Sequence, residues 1–373
     1  MKITSIRTEV VYGRRKRAHG RVAATALGPS DVSEHALVFM ETDAGIEGIG
    51  EISSVFSRRG RLLARDVDEV LAPALIGFDP FDITRINAAM DRVLWSTELA
   101  KAGVEMAVWD IVGKALKVPV YKLLGGKVRE SIPLSYSIPF GEPEEMAAFA
   151  AKRAKEGFRT VKVKVGQSAD RDVAAVKLVR EAVGSAHRVR VDANMAWRTA
   201  KEAIAIIRRM EQYEPELIEQ PLPPRELDAL AEIRRNIGIP LMVDESVWHP
   251  RDAMEVIRRG AADIVNVYVT ESGGIQNAAK TFTLCEQAGL PCMIGSMPEF
   301  GVGTAAQIHL GIAMANLGPD SDTCGSLYHE ADLLKTPLRF EKGHAYPPEG
   351  PGLGVELDMA VVERWRTPPG DTE

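Results

Sequence analysis

The chain has 373 residues, 45% of them hydrophobic, which is enough for a large core and for more than one ordinary domain. A formal net charge of -6 and a pI near 5.8 lack the basic excess of a phosphate-binding surface, so nucleic acid is not expected as a partner. The N-terminus MKITSIRTEV alternates like an edge strand without the apolar stretch of a signal peptide, and no later run is apolar enough to span a bilayer; a cytoplasmic chain with no membrane partner is expected.

Residues 1–12 and 35–52 read as strands, and ETDAGIEGIGE within the second carries the Gly-rich signal of a hairpin. Helical periodicity follows near 61–76, 82–95 and 98–117, so this first part is an α+β unit the size of a cap. From Ile132 the pattern changes to short apolar strands, each followed by an amphipathic helix: IPLSYSI, RTVKVKV, RVRVDAN, ELIEQP, PLMVDES, ADIVNVYV, PCMIGS and DTCGS. Strands at nearly even spacing predict a closed parallel barrel. The helices between them, such as 199–213 and 251–260, carry charge on one face and Ala, Ile or Leu on the other, as an outer ring requires. The last helix is short or missing, and PPEGPGLGVELD reads as a turn and strand returning to the first unit. Cys285, Cys292 and Cys324 are odd in number and lack CxxC spacing, which predicts reduced thiols in the core.

Asp192, Glu219 and Asp244 each end an apolar run and recur about every 25 residues, the length of one strand plus one helix. In a parallel barrel the C-terminal strand ends converge on one rim, so these carboxylates are expected to hold a metal. A single strand-end acid caps the next helix as readily, but three in register, within VDAN, IEQP and VDES, favour the ion. Hard oxygen donors without His or Cys select Mg²⁺, with Mn²⁺ as the other candidate. Asn194, Gln220 and Glu245 are the expected supports behind the ligands. One repeat earlier Lys162 and Lys164 lie two positions apart and point to the same inward face, which is costly unless something uses them. A divalent cation disfavours the ammonium form of a neighbouring lysine, so Lys164, nearer the strand end, is the candidate general base and Lys162 its helper. One repeat later Tyr268 occupies the corresponding strand end.

These residues resemble the enolase superfamily, in its mandelate racemase and muconate lactonizing enzyme branch, over essentially the whole chain. The resemblance rests on KVK at Lys162–Lys164, DAN at Asp192, EQP at Glu219, DES followed by Trp248 at Asp244, and GSMPEFGVGTAA after the seventh strand. It implies an α/β fold: a modified TIM barrel, (β/α)7β, over 126–339, with an N-terminal α+β capping domain over 1–125 completed by the C-terminal segment, about 340–373. It also implies Mg²⁺ on Asp192, Glu219 and Asp244, and a Lys164 that removes the proton α to a carboxylate to give an enediolate. The partner is then a small-molecule carboxylate, and a homo-oligomer is expected.

Two departures bear on the reaction. The resembling subgroup usually carries a lysine on the sixth strand, in runs like NVKxxKxGG, whereas this chain reads NVYVTESGG with Tyr268 in its place. A phenol near pKa ~10 is a poor base at neutral pH, so one-base chemistry is expected, either dehydration of a hydroxy acid or cycloisomerisation. Tyr268 then acts as an acid, packs, or donates a hydrogen bond to substrate. Racemisation or epimerisation of an amino-acid derivative is the alternative, and a noncatalytic acid-binding protein is the reading from another class. The second departure is Asp322-Thr323-Cys324, where the dipeptide epimerases it resembles carry an Asp-x-Asp pair for the substrate ammonium, so a dipeptide is disfavoured. Glu299 and Ser296, beside the seventh strand, match pocket-lining positions.

Both cap loops that set specificity in the resembling family are basic here. Arg14, Arg15, Lys16, Arg17, His19 and Arg21 lie in the first, and Arg58, Arg59 and Arg61 in or beside the second. Arg17 and Arg58 are the candidates to clamp a second carboxylate of an anionic substrate. GVGTAA at 301–306 superficially fits a dinucleotide fingerprint, but too little chain follows it for a dinucleotide domain.

Overall fold

The structure is a computed structural model describing residues 1–29, 31–55 and 59–369. Three antiparallel strands open the chain: β1 (Ile3–Arg14), β2 (Val32–Thr42) and β3 (Glu47–Ile52), in that order across the sheet. The β2–β3 hairpin turns at Gly45, whose φ of +70° suits glycine, and Gly45 N donates to Thr42 O at 3.0 Å. Helix α1 (Gly60–Asp66) continues through a π-helical turn, Val67–Leu71, and α2 (Ile83–Val93) and α3 (Glu98–Leu116) follow.

Helix α3 is apolar nearly all round, and every residue from Leu99 to Gly113 is buried, because the cap sheet covers one side and the barrel the other. Glycine permits the approach: a Cβ on Gly50 would stand 1.9 Å from Gly103 O of the helix. The buried charged residues on α3, Lys101, Glu105 and Asp110, are all paired. Glu105 accepts from Trp109 Nε1 at 2.8 Å and, across the interface, from Ile275 N at 2.7 Å and Gln276 N at 2.9 Å. Asp110 accepts from Ile49 N at 2.9 Å and from Leu353 N at 2.8 Å, which joins the C-terminal segment to the cap. Farther on, Tyr12 N donates to Trp365 O at 2.7 Å and Arg366 pairs with Glu9 at 3.2 Å.

The rest is a parallel seven-stranded sheet in sequence order, with strands β4 (Ser135–Ile138), β5 (Thr160–Lys164), β6 (Arg188–Asp192), β7 (Ile218–Glu219), β8 (Leu241–Val243), β9 (Ile264–Val267) and β10 (Cys292–Ile294). Each is followed by a helix: α4 (Pro143–Lys155), α5 (Ala169–Val183), α6 (Ala200–Met210), α7 (Leu227–Asn236), α8 (Pro250–Arg259), α9 (Ile275–Gln287) and α10 (Gly301–Ala313). The period of two on β5 sends Val161 and Val163 outward and Lys162 and Lys164 inward. Among the described residues, no helix is long and apolar enough to cross a membrane. All three cysteines are free and buried.

The eighth strand differs from expectation. DTCGS is no strand: residues 325–328 form a 3₁₀ turn. The barrel closes through the segment before it, where Leu317 bridges to Cys292, Ser321 bridges to Leu134, Ser321 N donates to Pro133 O at 2.8 Å, and Asp322 N donates to Ile294 O at 2.9 Å. Gly318-Pro319 breaks the ladder between these bonds, because proline has no N–H to give it.

Candidate active site

A cavity of about 530 Å³ opens at the C-terminal ends of the strands, under the cap. Lys162, Lys164, Asn194, Asp244, Glu245 and Tyr268 are among its walls, and the β5–β6–β7 register sets Lys164 beside Asp192 and Asp192 beside Glu219.

Lys164 Nζ contacts Asp192 Oδ2 at 2.5 Å and Asn194 Oδ1 at 2.9 Å. Lys162 lies deeper and is enclosed by acids: Asp192 Oδ2 at 3.4 Å, Glu219 Oε2 at 3.1 Å, and a close contact with Asp322. Burial alone would push the Lys162 ammonium down, but Asp322, Glu219, Asp192 and Asp244 outweigh it and hold the group well above its ordinary value. Lys162 is therefore held as a cation, while Lys164, also on the cavity wall, is the less buried of the two lysines. Asp192 stays below its usual range, because Lys164 and Lys162 overcome its burial. Glu219 is pushed well up by burial and the Asp192 charge; Asp244 rises to about 7 by burial and Glu245, and Glu245 to about 7 by burial and Asp192.

The supports behind these groups are in place. Asn194 N donates to Asp192 Oδ1 at 2.9 Å, and its side-chain amide to Glu245 Oε1 at 3.1 Å. Gln220 Oε1 accepts from Asp244 N at 2.8 Å while its Nε2 donates to Ser246 Oγ at 2.9 Å, so one amide fixes the DES turn. Asn194 and Gln220 take φ of +40° and +33°, left-handed backbone at the loops that leave β6 and β7.

Tyr268 is buried and its hydroxyl donates to Asp244 Oδ2 at 2.9 Å. Its ring lies over Gly295, where a Cβ would come within 2.2 Å of the ring carbons. Burial and the charges of Asp244 and Glu271 push the phenol well above 10, so it stays protonated and serves as a hydrogen-bond donor. Ser296 lines the cavity, and Arg17 reaches its rim from the first cap loop. Arg58 lies outside the described residues. Glu299 stands behind the wall: fully buried, it accepts from Ser296 Oγ at 2.6 Å, Met297 N at 2.8 Å and Gln307 Nε2 at 2.6 Å, which makes it a brace for the loop after β10. Of the other basic loop residues, Arg21 pairs with Glu145 at 2.6 Å, Lys16 donates to Leu327 O at 3.0 Å, and Arg61 lies 3.8 Å from Glu34.

Three residues that sequence reasoning gave no role here belong to this network. Asp322 binds Lys162 and accepts from Ser135; Asn266 donates to Glu219 Oε1 at 3.1 Å and Asp244 Oδ2 at 3.3 Å; Glu271 lines the cavity. For Asn266 the signal was readable, since it is an inward polar residue two positions before Tyr268 on an otherwise apolar strand.

Among the described residues, no three His, Cys, Asp or Glu side chains are gathered tightly enough to form a ready cation site, because the acids lean on Lys162, Asn266 and Tyr268 instead. The donor set nevertheless fits a hard divalent ion. Glu245 Oε2 is buried without a hydrogen-bond partner, and Asp192, Glu219, Asp244 and Glu245 together outnumber the two lysines.

Residues 7–125 match the mandelate racemase / muconate lactonizing enzyme N-terminal domain, and residues 145–361 match the enolase C-terminal domain-like family. The chain belongs to the mandelate racemase / muconate lactonizing enzyme family of the enolase superfamily. A hydrophobic dipeptide epimerase of Enterococcus faecalis is 37% identical over 295 residues, 78% of this chain and 83% of the relative. An N-succinyl-L-Arg/Lys racemase of Bacillus cereus is 34% identical over 330 residues, 88% of this chain and 89% of the relative. Among solved structures, the muconate lactonizing enzyme of Pseudomonas fluorescens complexed with muconolactone superposes with a TM-score of 0.94 at 29% identity, covering 98% of this chain and 99% of that one. The dipeptide epimerase of Enterococcus faecalis complexed with Mg and L-Leu-L-Tyr superposes with a TM-score of 0.87 at 32% identity, covering 95% of this chain and 100% of that one. These relatives are enzymes, and they weigh toward the epimerase and racemase alternative at least as much as toward cycloisomerisation; none is a dehydratase.

Proposed function

We propose that this chain is an isomerase that removes the proton α to the carboxylate of an amino-acid derivative, with Lys164 as the base. The observation that carries this is the placement of Lys164: its ammonium reaches the cavity at the strand ends, held by Asp192 and Asn194 beside a cluster of buried carboxylates. Asp192, Glu219 and Asp244 are the residues to hold Mg²⁺, the ion in the Enterococcus faecalis epimerase structure, and its charge would stabilise the enediolate. Lys162, fixed as a cation among Asp192, Glu219 and Asp322, adds positive charge beneath the reacting carbon and does not itself move a proton. Asn194 orients Lys164.

Reprotonation decides the product. Epimerisation or racemisation, which the relatives favour, requires proton transfer on the far face in both directions, and Tyr268, which lines the cavity, is the candidate to carry it, as phenol in one direction and phenolate in the other. One-sided cycloisomerisation or elimination is the second reading, favoured by the hydrogen bond that commits the Tyr268 hydroxyl to Asp244.

Proton NMR in D₂O with Mg²⁺, against N-acylamino acids, dipeptides, hydroxyprolines, acid sugars and muconates, tests both. The expected result is loss of the α-proton signal, abolished in Lys164→Ala by at least ~10²-fold. Inversion that Tyr268→Phe removes establishes the first reading; exchange with retention, unaffected by Tyr268→Phe, establishes the second. A protein that binds such acids yet exchanges no α-proton refutes both.

A further inference from the structure

Glu271 is a buried acid that the reaction above does not use. It lies three residues beyond Tyr268, on the turn between β9 and α9, is 1% exposed, and lines the same cavity as Lys164 and Tyr268. Its Oε2 has no hydrogen-bond partner, and among the described residues no ion pair reaches it. The charged groups acting on it are Asp244, Glu245 and Glu299, all of its own sign. A buried carboxylate with neither donor nor countercharge costs several kcal/mol, and as a neutral acid its O–H would still lack an acceptor.

The basic groups of the cavity do not answer this charge. Arg15, Lys16, Arg17, Lys152 and Arg153 line it from the cap loop and α4, whereas Glu271 extends from the β9 side. Arg153 is engaged by Glu156 at 2.6 Å and lies over the Tyr136 ring; Arg15 Nε donates to Ser33 Oγ at 2.9 Å, while its Nη2 is buried without a hydrogen-bond partner. The cavity is thus lined by basic side chains from the cap loop and α4 and by the acid Glu271 from the turn after β9, together with Lys164. A ligand that places its carboxylate beside Lys164 meets Glu271 with whatever group it presents toward the end of β9.

We propose that Glu271 is a subsite for a positively charged nitrogen, so that the acid taken by this site is zwitterionic: an amino acid, free or N-alkylated, or a short peptide with a free amine. This rests on the proposed proton abstraction for the orientation of the substrate and goes beyond it in naming the charge of the substrate. It adds a cationic nitrogen to the anionic substrate expected from the basic cap loops.

The test uses the full-length protein with Mg²⁺, and calorimetric binding is measured alongside α-proton exchange. The probes are matched pairs: leucine and N,N-dimethylleucine against N-acetylleucine and 4-methylpentanoate, and L-Leu-L-Tyr against its N-acetyl form. Binding confined to the members with a cationic nitrogen, weakened on the order of 30-fold or more in Glu271→Gln, is the expected result. Equal binding of cationic and neutral members, binding of neither, or a Glu271→Gln variant that treats them as wild type does, overturns the subsite. Loss of Mg²⁺ binding in Glu271→Gln, read as loss of the Mg²⁺-induced rise in Tm, overturns it as well by making Glu271 a metal ligand. Because Glu271→Gln replaces an acid crowded by Asp244, Glu245 and Glu299 with a neutral amide of the same shape, its Tm without ligand is expected to equal or exceed that of wild type. Selective binding without exchange would leave the subsite standing and refute the proton abstraction, so the two ideas fail separately.

Discussion

Lys162 is a cation with almost no water to solvate it, and it persists because Asp322, Glu219 and Asp192 surround it. Removing one member of such a set leaves buried charge unpaired, which is costlier than never having placed it. Lys162→Met is therefore expected to lower unfolding stability by about 3–5 kcal/mol. Denaturant titration checks this, with the Lys162→Met/Asp322→Asn double variant recovering part of the loss; a single variant as stable as wild type would show that the acids are neutral without the lysine. At this scale the strand-end acids and the KVK pair were legible, because each is a polar interruption at a fixed place in an apolar run. Asp322 was not legible as their partner. It lies 160 residues from Lys162, at the head of the DTCGS run read as the eighth strand, and only barrel closure brings the two together.

The strand ends and their loops place chemistry by backbone geometry. Tyr268 follows β9 and Gly295 follows β10; the absent Cβ at Gly295 gives the Tyr268 ring its room. In Gly295→Ala the methyl would displace the ring and break its hydrogen bond to Asp244, at a cost of about 1–3 kcal/mol from overpacking. The same substitution in a Tyr268→Ala background is expected to be nearly free, so the coupling energy from the two stability measurements decides the contact. Strands and helices with strong periodicity matched their elements closely. The eighth strand did not, because composition and spacing suggested a strand at DTCGS while Gly318-Pro319 allows only isolated bridges nearby. Glu299 illustrates the same limit: its place after β10 suggested the pocket, but loop geometry turned it inward onto Ser296, Met297 and Gln307.

Across the whole molecule, the cap, barrel and C-terminal segment share one interior, and His309 on α10 lies within it. It is fully buried, its Nδ1 accepts from Tyr121 N at 3.4 Å, and its Nε2 donates to Leu353 O at 3.0 Å, which is the bonding of a neutral imidazole. Burial pushes it down from 6.5 to about 4. Between those values the unfolded chain binds a proton that the folded chain refuses, so this contribution is complete above the ordinary histidine range and is lost as pH falls. Moving from pH 7 to pH 5 is expected to cost about 2 kcal/mol at this residue. Urea unfolding of wild type and His309→Gln at both pH values tests it: the variant should lose about 2 kcal/mol less on acidification, and equal losses would reject the assignment.

By itself the amino-acid sequence determined the repeating strand–helix period, the capping unit, and the set of acids and lysines gathered on one rim, since periodicity and strand-end position are local properties of the chain. The tertiary structure alone decided which buried polar groups meet: Lys162 with Asp322, the Tyr268 hydroxyl with Asp244, and Glu271 with no cation among the described residues. Those outcomes depend on distances between residues remote in the chain and on the solvent each contact excludes, and neither is written in any local pattern.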